Sequence, residues 1–267
     1  MSNTNAPVSA NKNDYNGKYF SVLGDSITTL EGYNPEGYRL YYCGKNLKRT
    51  GVFTAEDTWW GKVISALGGK LLINNSWSGS RVAKVPDSDR LFPSGCSDER
   101  TSALGKSGTD PDVILIYLGA NDWEQGAPPY ADKDSECDKA EVFAVAYDTM
   151  LKKLKESYPA AEIWCFTLAK ADIKRNPFYV FRENVAGYSI KDYNAVIMTA
   201  AKENGCKAAD LYSLGVAYDS VDGSHPTRRG MKTLADMMCS FMLPEAKICI
   251  KRGVFAQIGD FFRKLFA

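Results

Sequence analysis

Histidine is almost missing from this chain: of 267 residues only one, His225, is a histidine. A His-rich metal site is therefore excluded. An excess of either charge is lacking too. Lys and Arg number 33 against 32 Asp and Glu, a net charge of +1. That balance supplies no basic field for nucleic acid and no acidic tail. No run of about 18 apolar residues occurs, so no membrane-spanning helix is expected. The first residues, MSNTNAPVSANKND, lack the apolar stretch of a secretory signal. The seven cysteines (Cys43, Cys96, Cys137, Cys165, Cys206, Cys239 and Cys249) are odd in number and lack paired spacing. With no Cys-x-x-Cys among them, reduced thiols in a cytoplasmic protein are expected. Internal repeats and low-complexity tracts are also missing.

What is present suits a sizeable core, with 45% hydrophobic residues. Residues 1–17 read as a loose polar leader, 18–246 as one domain, and 247–267 as an amphipathic helix. Within the domain, apolar runs alternate with helical patterns. Strands are expected at Tyr19 to Leu23, Leu71 to Asn74, Val113 to Leu118 and Ile163 to Leu168, with a weak fifth at Lys207 to Leu211. Val113 to Leu118 is apolar on both faces, as a strand inside a parallel sheet must be. Helices are expected over Thr58 to Leu67 with Asp57 as cap, and over Glu141 to Tyr158, Ser189 to Asn204 and Thr227 to Met242. In the second helix Phe143, Ala146, Tyr147, Met150, Leu151 and Leu154 share one face. Strand–helix alternation at this spacing predicts an α/β fold, a parallel sheet with helices on both faces. Functional residues then belong at the carboxyl ends of strands.

Polar, glycine-containing loops fall at those ends. Gly24-Asp25-Ser26-Ile27 follows the first strand and Asn74 to Ser80 the second. Gly119-Ala120-Asn121-Asp122 follows the third, and Asp222-Gly223-Ser224-His225-Pro226 lies beyond the fifth. A serine hydroxyl is a poor nucleophile until a base takes its proton. His225 can take it and later protonate a leaving group. Asp222, three residues earlier, can fix the tautomer and orientation of the ring. The oxyanion of an acyl-transfer intermediate needs aligned donors. The amide of Asn121 and the backbone N–H groups of Gly79 and Ser26 are the candidates. Each residue also has a plainer reading: Ser26 as a turn cap, Asn121 as a turn former, His225 as a structural residue. Asp25 and Asp122 are expected to hold loop geometry through backbone bonds.

In this order the four blocks resemble the SGNH hydrolases, the GDSL-type esterase and lipase family. The resemblance is anchored at points from about residue 19 to 243. It maps the family's serine to Ser26, its glycine to Gly79, its asparagine to Asn121 and its Asp-x-x-His pair to Asp222 and His225. Ile27 stands where the family name has leucine. The resemblance implies a three-layer, flavodoxin-like α/β/α sandwich with about five parallel strands. It also implies hydrolysis of esters or thioesters through Ser26, with no metal and no cofactor.

Other features leave more than one reading. Residues 30–56, with Tyr33, Tyr38, Tyr41, Tyr42 and Phe53, form a long connection that either walls a substrate pocket or packs as a surface excursion. Trp77, Trp123 and Tyr33 are candidate substrate-binding residues, or core. The helix at 247–267 can pack on its own domain, mediate a homo-oligomer, or lie on a membrane surface, the last not favoured. The expected partner is a small acyl ester, an acetyl ester on a carbohydrate being the preferred form. Thioesterase or lysophospholipase chemistry, and a non-catalytic binding domain of the same fold, are the alternatives.

Overall fold

The computed structural model describes residues 15–85, 93–131 and 139–243. The expected helix at 247–267, and with it any packing, oligomer or membrane role, lies outside the described residues, as does most of the polar leader. Tyr15 of that leader is tied down, its hydroxyl donating to Glu162 at 2.5 Å, and Gly17 N–H donates to Gly68.

The sheet is built from β1 (Tyr19–Gly24), β2 (Lys70–Ser76), β3 (Val113–Tyr117), β4 (Glu162–Phe166) and β5 (Lys207–Ala209). All five run parallel in the order β2-β1-β3-β4-β5. Every residue of β3 is buried, as its uninterrupted apolar sequence requires. Gly24 is in register with both Ser76 and Tyr117. Three strands therefore end on one level, and the loops that follow emerge side by side.

Helices α1 (Trp59–Ala66), α2 (Phe143–Ser157), α3 (Ile190–Glu203) and α4 (Arg228–Met242) complete the layers. α1 packs with α4, and α2 with α3. The result is the expected three-layer α/β/α arrangement. On α2, Phe143, Ala146, Tyr147, Met150, Leu151 and Leu154 are the buried residues, the face that 3.6-residue periodicity marked out. Ser189 caps α3 in a reciprocal box with Asp192, and Thr227 caps α4 after Pro226.

One expected cap moves by a residue. Thr58, not Asp57, caps α1, its hydroxyl accepting from Gly61 N–H at 3.0 Å. A single 3₁₀ turn over Ala55–Asp57 precedes the helix. Asp57 closes that turn, accepting from Phe53 and Thr54 N–H, and pairs with Arg228 of α4 at 2.6 Å. The long connection also carries a short helix, Lys45–Thr50. Two small additions had no periodic signal to read: a parallel ribbon of Lys170–Asp172 with Ala217–Asp219, and a hairpin of Asn184–Val185 with Tyr188–Ser189. Among the described residues no helix is long and apolar enough to cross a membrane. Cys43, Cys96, Cys165, Cys206 and Cys239 are free thiols.

Leu151 is fully buried on α2. Leu151→Ala is expected to lower unfolding free energy by about 2–5 kcal/mol through lost transfer energy and a residual cavity. Urea unfolding of the two proteins measures this; coincident midpoints contradict the packing described.

Candidate active site

The order β2-β1-β3 reverses the direction of winding at β1, and crevices open at the carboxyl ends of strands where that happens. Ser26 stands just beyond β1, in a 3₁₀ turn over Ser26–Thr28 whose N-cap is Asp25. The Gly79 loop follows β2, and Asn121 sits in a short helix, Ala120–Glu124, directly after β3.

Four loop residues from the far end of the chain complete the group. The Ser26 hydroxyl lies 2.9 Å from His225 Nε2. On the other side of the ring, Nδ1 lies 3.0 Å from Asp222 Oδ2 and 3.2 Å from Oδ1. A carboxylate only accepts, so Nδ1 carries the proton and Nε2 accepts from Ser26. Asp222 Oδ1 also accepts from the backbone N–H of His225 at 2.8 Å and of Ser224 at 3.2 Å. Burial alone would raise the Asp222 carboxyl. The His225 hydrogen bond and charge, with those N–H groups, outweigh it and hold the carboxyl well below the usual range. Loop residues around this pair are fastened: Tyr218 OH donates to Ser224 O at 2.7 Å, and Val221 N–H to His225 O at 3.0 Å.

Donors suited to an anion lie on the loops that open at this end of the sheet. Asn121 Nδ2 donates one hydrogen to Ser80 O at 3.0 Å, leaving its second. Ser26 N–H opens a turn, where backbone donors have no partner within the helix. Gly79 adopts φ +88, and a Cβ there would meet nothing within 4 Å. That position needs glycine for its backbone angle, and it faces open space. The arrangement is a polarised hydroxyl, a base held in one tautomer, and donors for developing negative charge.

The asparagine loop is itself pinned. Asp122, fully buried, accepts from Val82 and Ala83 N–H, each at 2.8 Å. Asp25 accepts from Ile27 N–H at 3.0 Å. Both therefore make the loop-holding bonds expected of them. A small cavity of about 20 Å³ is lined by Ile27, Ala120, Trp123, Leu168, Phe181 and Ser224, among others. These include neighbours of Ser26, Asn121 and His225, and the space suits roughly one water-sized group.

Comparison with known proteins follows the same lines. A model of the GDSL-like lipase/acylhydrolase family matches residues 18–205. The chain belongs to this family. It is accordingly an ester-bond hydrolase. The match spans Ser26, Gly79 and Asn121; Asp222 and His225 lie beyond it, and the fold carries them back to the serine. Similar solved structures include a candidate GDSL-like lipase of Bacteroides ovatus, 25% identical, with a TM-score of 0.64, covering 85% of this chain and 98% of that one. A candidate GDSL-like lipase of Bacteroides uniformis is 28% identical, with a TM-score of 0.61, covering 84% and 94%. A carbohydrate esterase family 2 enzyme with a carbohydrate-binding domain, from Corynascus, is 16% identical with a TM-score of 0.53, covering 89% and 68%, a likeness of fold alone. No curated protein matches this sequence.

The weaker candidates of this GDSL-like hydrolase separate. Trp123 lines the small cavity and stacks on Phe181 at 5.6 Å. Trp77, half-buried beside Gly79, packs on Tyr38 at 4.2 Å. Tyr33 is not brought to this group: its ring lies on Trp60 at 5.5 Å, in a separate groove along α1. Two residues were not picked out by sequence. Tyr41 stacks on His225 and donates to Asp222 Oδ2 at 3.1 Å. Arg100, fully buried, donates to Gly24 O and Asn75 O at 3.0 Å each, to Asn75 Oδ1 at 2.7 Å and to Pro93 O at 3.2 Å. Tyr41 was visible only as one of several tyrosines, and Arg100 gave no signal in its polar surroundings.

Burial pushes the Asp25 carboxyl up to about 7, against the pull of the Ile27 N–H. Its unfolded value is about 3.9. A carboxyl raised by folding takes up a proton as the chain folds, so stability falls as pH climbs between those values, by at most about 1.4 kcal/mol per pH unit. Asp25→Asn, which keeps an acceptor for Ile27, is expected to flatten that decline. Urea unfolding of parent and variant across this window measures it; parallel declines would show Asp25 ionised in the folded protein.

Proposed function

We propose that this GDSL-like hydrolase removes small acyl groups, acetyl above all, from carbohydrate esters through a serine-linked acyl intermediate. The observation that carries this reading is the continuous chain of hydrogen bonds from Ser26 Oγ through His225 to Asp222.

In this mechanism Ser26 Oγ attacks the ester carbonyl carbon while its proton passes to His225 Nε2. Asp222 holds the imidazolium that forms. The negative charge on the former carbonyl oxygen is met by the N–H groups of Ser26 and Gly79 and the free amide hydrogen of Asn121. Collapse expels the alcohol, which takes its proton from His225. Water, deprotonated by the same imidazole, then attacks the acyl-serine and releases the acid, returning Ser26 to its starting state.

Two features support the substrate. The cavity of about 20 Å³ lined by Ile27, Ala120 and Ser224, sequence neighbours of Ser26, Asn121 and His225, is of a size that suits a small acyl group. The Tyr38–Trp77 pair beside Gly79 supplies aromatic rings of the kind that pack against the apolar side of a sugar.

Ser26→Ala is expected to lower turnover of an acetyl ester by roughly 10⁴–10⁶-fold, leaving only what binding and the oxyanion donors supply. A variant as fast as the parent rejects the mechanism. Nitrophenyl esters of graded chain length separate the substrate classes. The acetyl ester is expected to be cleaved with the highest kcat/KM, and acetylated sugars are expected to be deacetylated. A rise in kcat/KM toward long chains places the protein with the lysophospholipases instead.

A further inference from the structure

Asp222 and His225 lie on an irregular loop, and their side chains keep 30% and 19% of their surface exposed. Core packing does not immobilise them. A base misplaced by about 1 Å can cost about 10²-fold in rate, so something outside the core must fix the pair.

Tyr41 is placed to do this. Its ring lies parallel to the imidazole of His225, with centroids 3.4 Å apart and planes 5° from parallel. Its hydroxyl donates to Asp222 Oδ2 at 3.1 Å. Its backbone N–H donates to Thr29 Oγ1 at 2.9 Å, and that hydroxyl in turn donates to Ser26 O at 3.0 Å. Tyr41 thus touches the base and the carboxylate directly, and reaches the nucleophile's backbone through one hydroxyl. Its neighbours extend the clasp over the same loop. The buried Tyr42 donates its hydroxyl to Pro226 O at 2.9 Å, and Arg49 donates to Val221 O at 3.4 Å. The Tyr41 phenol itself is pushed well above its usual range, first by burial and then by the Asp222 charge, so it remains a donor.

We infer that Tyr41 is a positioning residue that holds Ser26, His225 and Asp222 in register for the acyl-transfer reaction. The inference rests on the serine mechanism proposed above. Two forces act together. The hydroxyl gives Asp222 a further hydrogen bond, which restricts its rotation and leaves both oxygens aligned with the ring. The aromatic face restrains the imidazole against tilting and attracts the positive charge it acquires in the transition state. The tyrosine-bearing connection accordingly serves as a brace at Tyr41, whatever Tyr38 contributes at the Gly79 loop.

The test uses the full chain and three proteins: the parent, Tyr41→Phe and Tyr41→Leu. Phenylalanine keeps the stack and loses the hydroxyl; leucine loses both. For the acetyl ester, kcat is expected to fall about tenfold in the first and about 10²-fold in the second, with KM within about twofold throughout. The single histidine allows a direct structural readout. In the parent, the His225 ring-carbon protons lie under the tyrosine ring current; this displacement should persist in Tyr41→Phe and vanish in Tyr41→Leu by NMR. Fluorophosphonate labelling of Ser26 separates the two readings. If the parent's Ser26 is not labelled, the serine mechanism fails and the brace falls with it. If it is labelled and both folded variants keep parental kcat and labelling rate, the brace alone is overturned. Should Tyr41→Leu fail to fold, Tyr41→Phe decides: parental kcat rejects the inference, and loss of kcat at constant KM sustains it.

Discussion

Pairing of β1 on both of its edges is the constraint from which the site follows. One edge takes β2 and the other takes β3, so the chain winds away from β1 in both directions and leaves a crevice at its carboxyl end. Because Gly24, Ser76 and Tyr117 share one register level, the serine, glycine and asparagine loops open beside one another. At these strand ends Arg100 donates to the carbonyls of Gly24 and Asn75, that of Gly24 also accepting from Trp77 N–H. A buried guanidinium is costly unless its donors are satisfied, and here carbonyl and amide oxygens satisfy it. Burial pushes Arg100 down to about 10, which keeps it cationic at neutral pH.

The acidic groups around the site fall into two kinds. Asp25 and Asp122 are buried, and burial pushes each up to about 7, against the backbone N–H groups they accept from. Their chief task is geometric, and full charge there is expensive. Asp222 is partly solvated and bonded to an imidazole, so its charge is favoured. Negative charge is thereby favoured at the carboxylate bonded to His225, while burial raises the neighbouring Glu124 carboxyl.

Most of the scaffold was legible because its signals are local. The buried run of β3, the apolar face of α2 and the helix starts near Ser189 and Thr227 are all written within a few neighbouring residues. Ser26, Gly79, Asn121, Asp222 and His225 were legible as loop positions after strands; the fold joins Ser26, His225 and Asp222 by hydrogen bonds and sets the Gly79 and Asn121 loops at the same end of the sheet. What escaped was long-range or too short. In sequence Asp57 reads as the α1 cap because nothing local reveals the extra turn before Thr58, or the partner Arg228 on another helix. Tyr33 and Tyr41 look alike in sequence, yet one turns to Trp60 and the other to His225. Arg100 has no pattern at all, since its partners are carbonyls of remote strands.

Ser26 and His225 are hydrogen-bonded across a separation of 199 positions. Chains are synthesised at roughly 5–20 residues per second, so the serine leaves the ribosome roughly 10–40 s before its histidine. For that interval the nascent protein carries a hydroxyl with no base, while the strands that position it are already available. His225 lies just before α4, which packs on α1, so the pair and that helix contact are both late additions to the chain. The hydrogen-bonded pair is thus a late product of synthesis, and partly made chains carry the serine without its histidine partner.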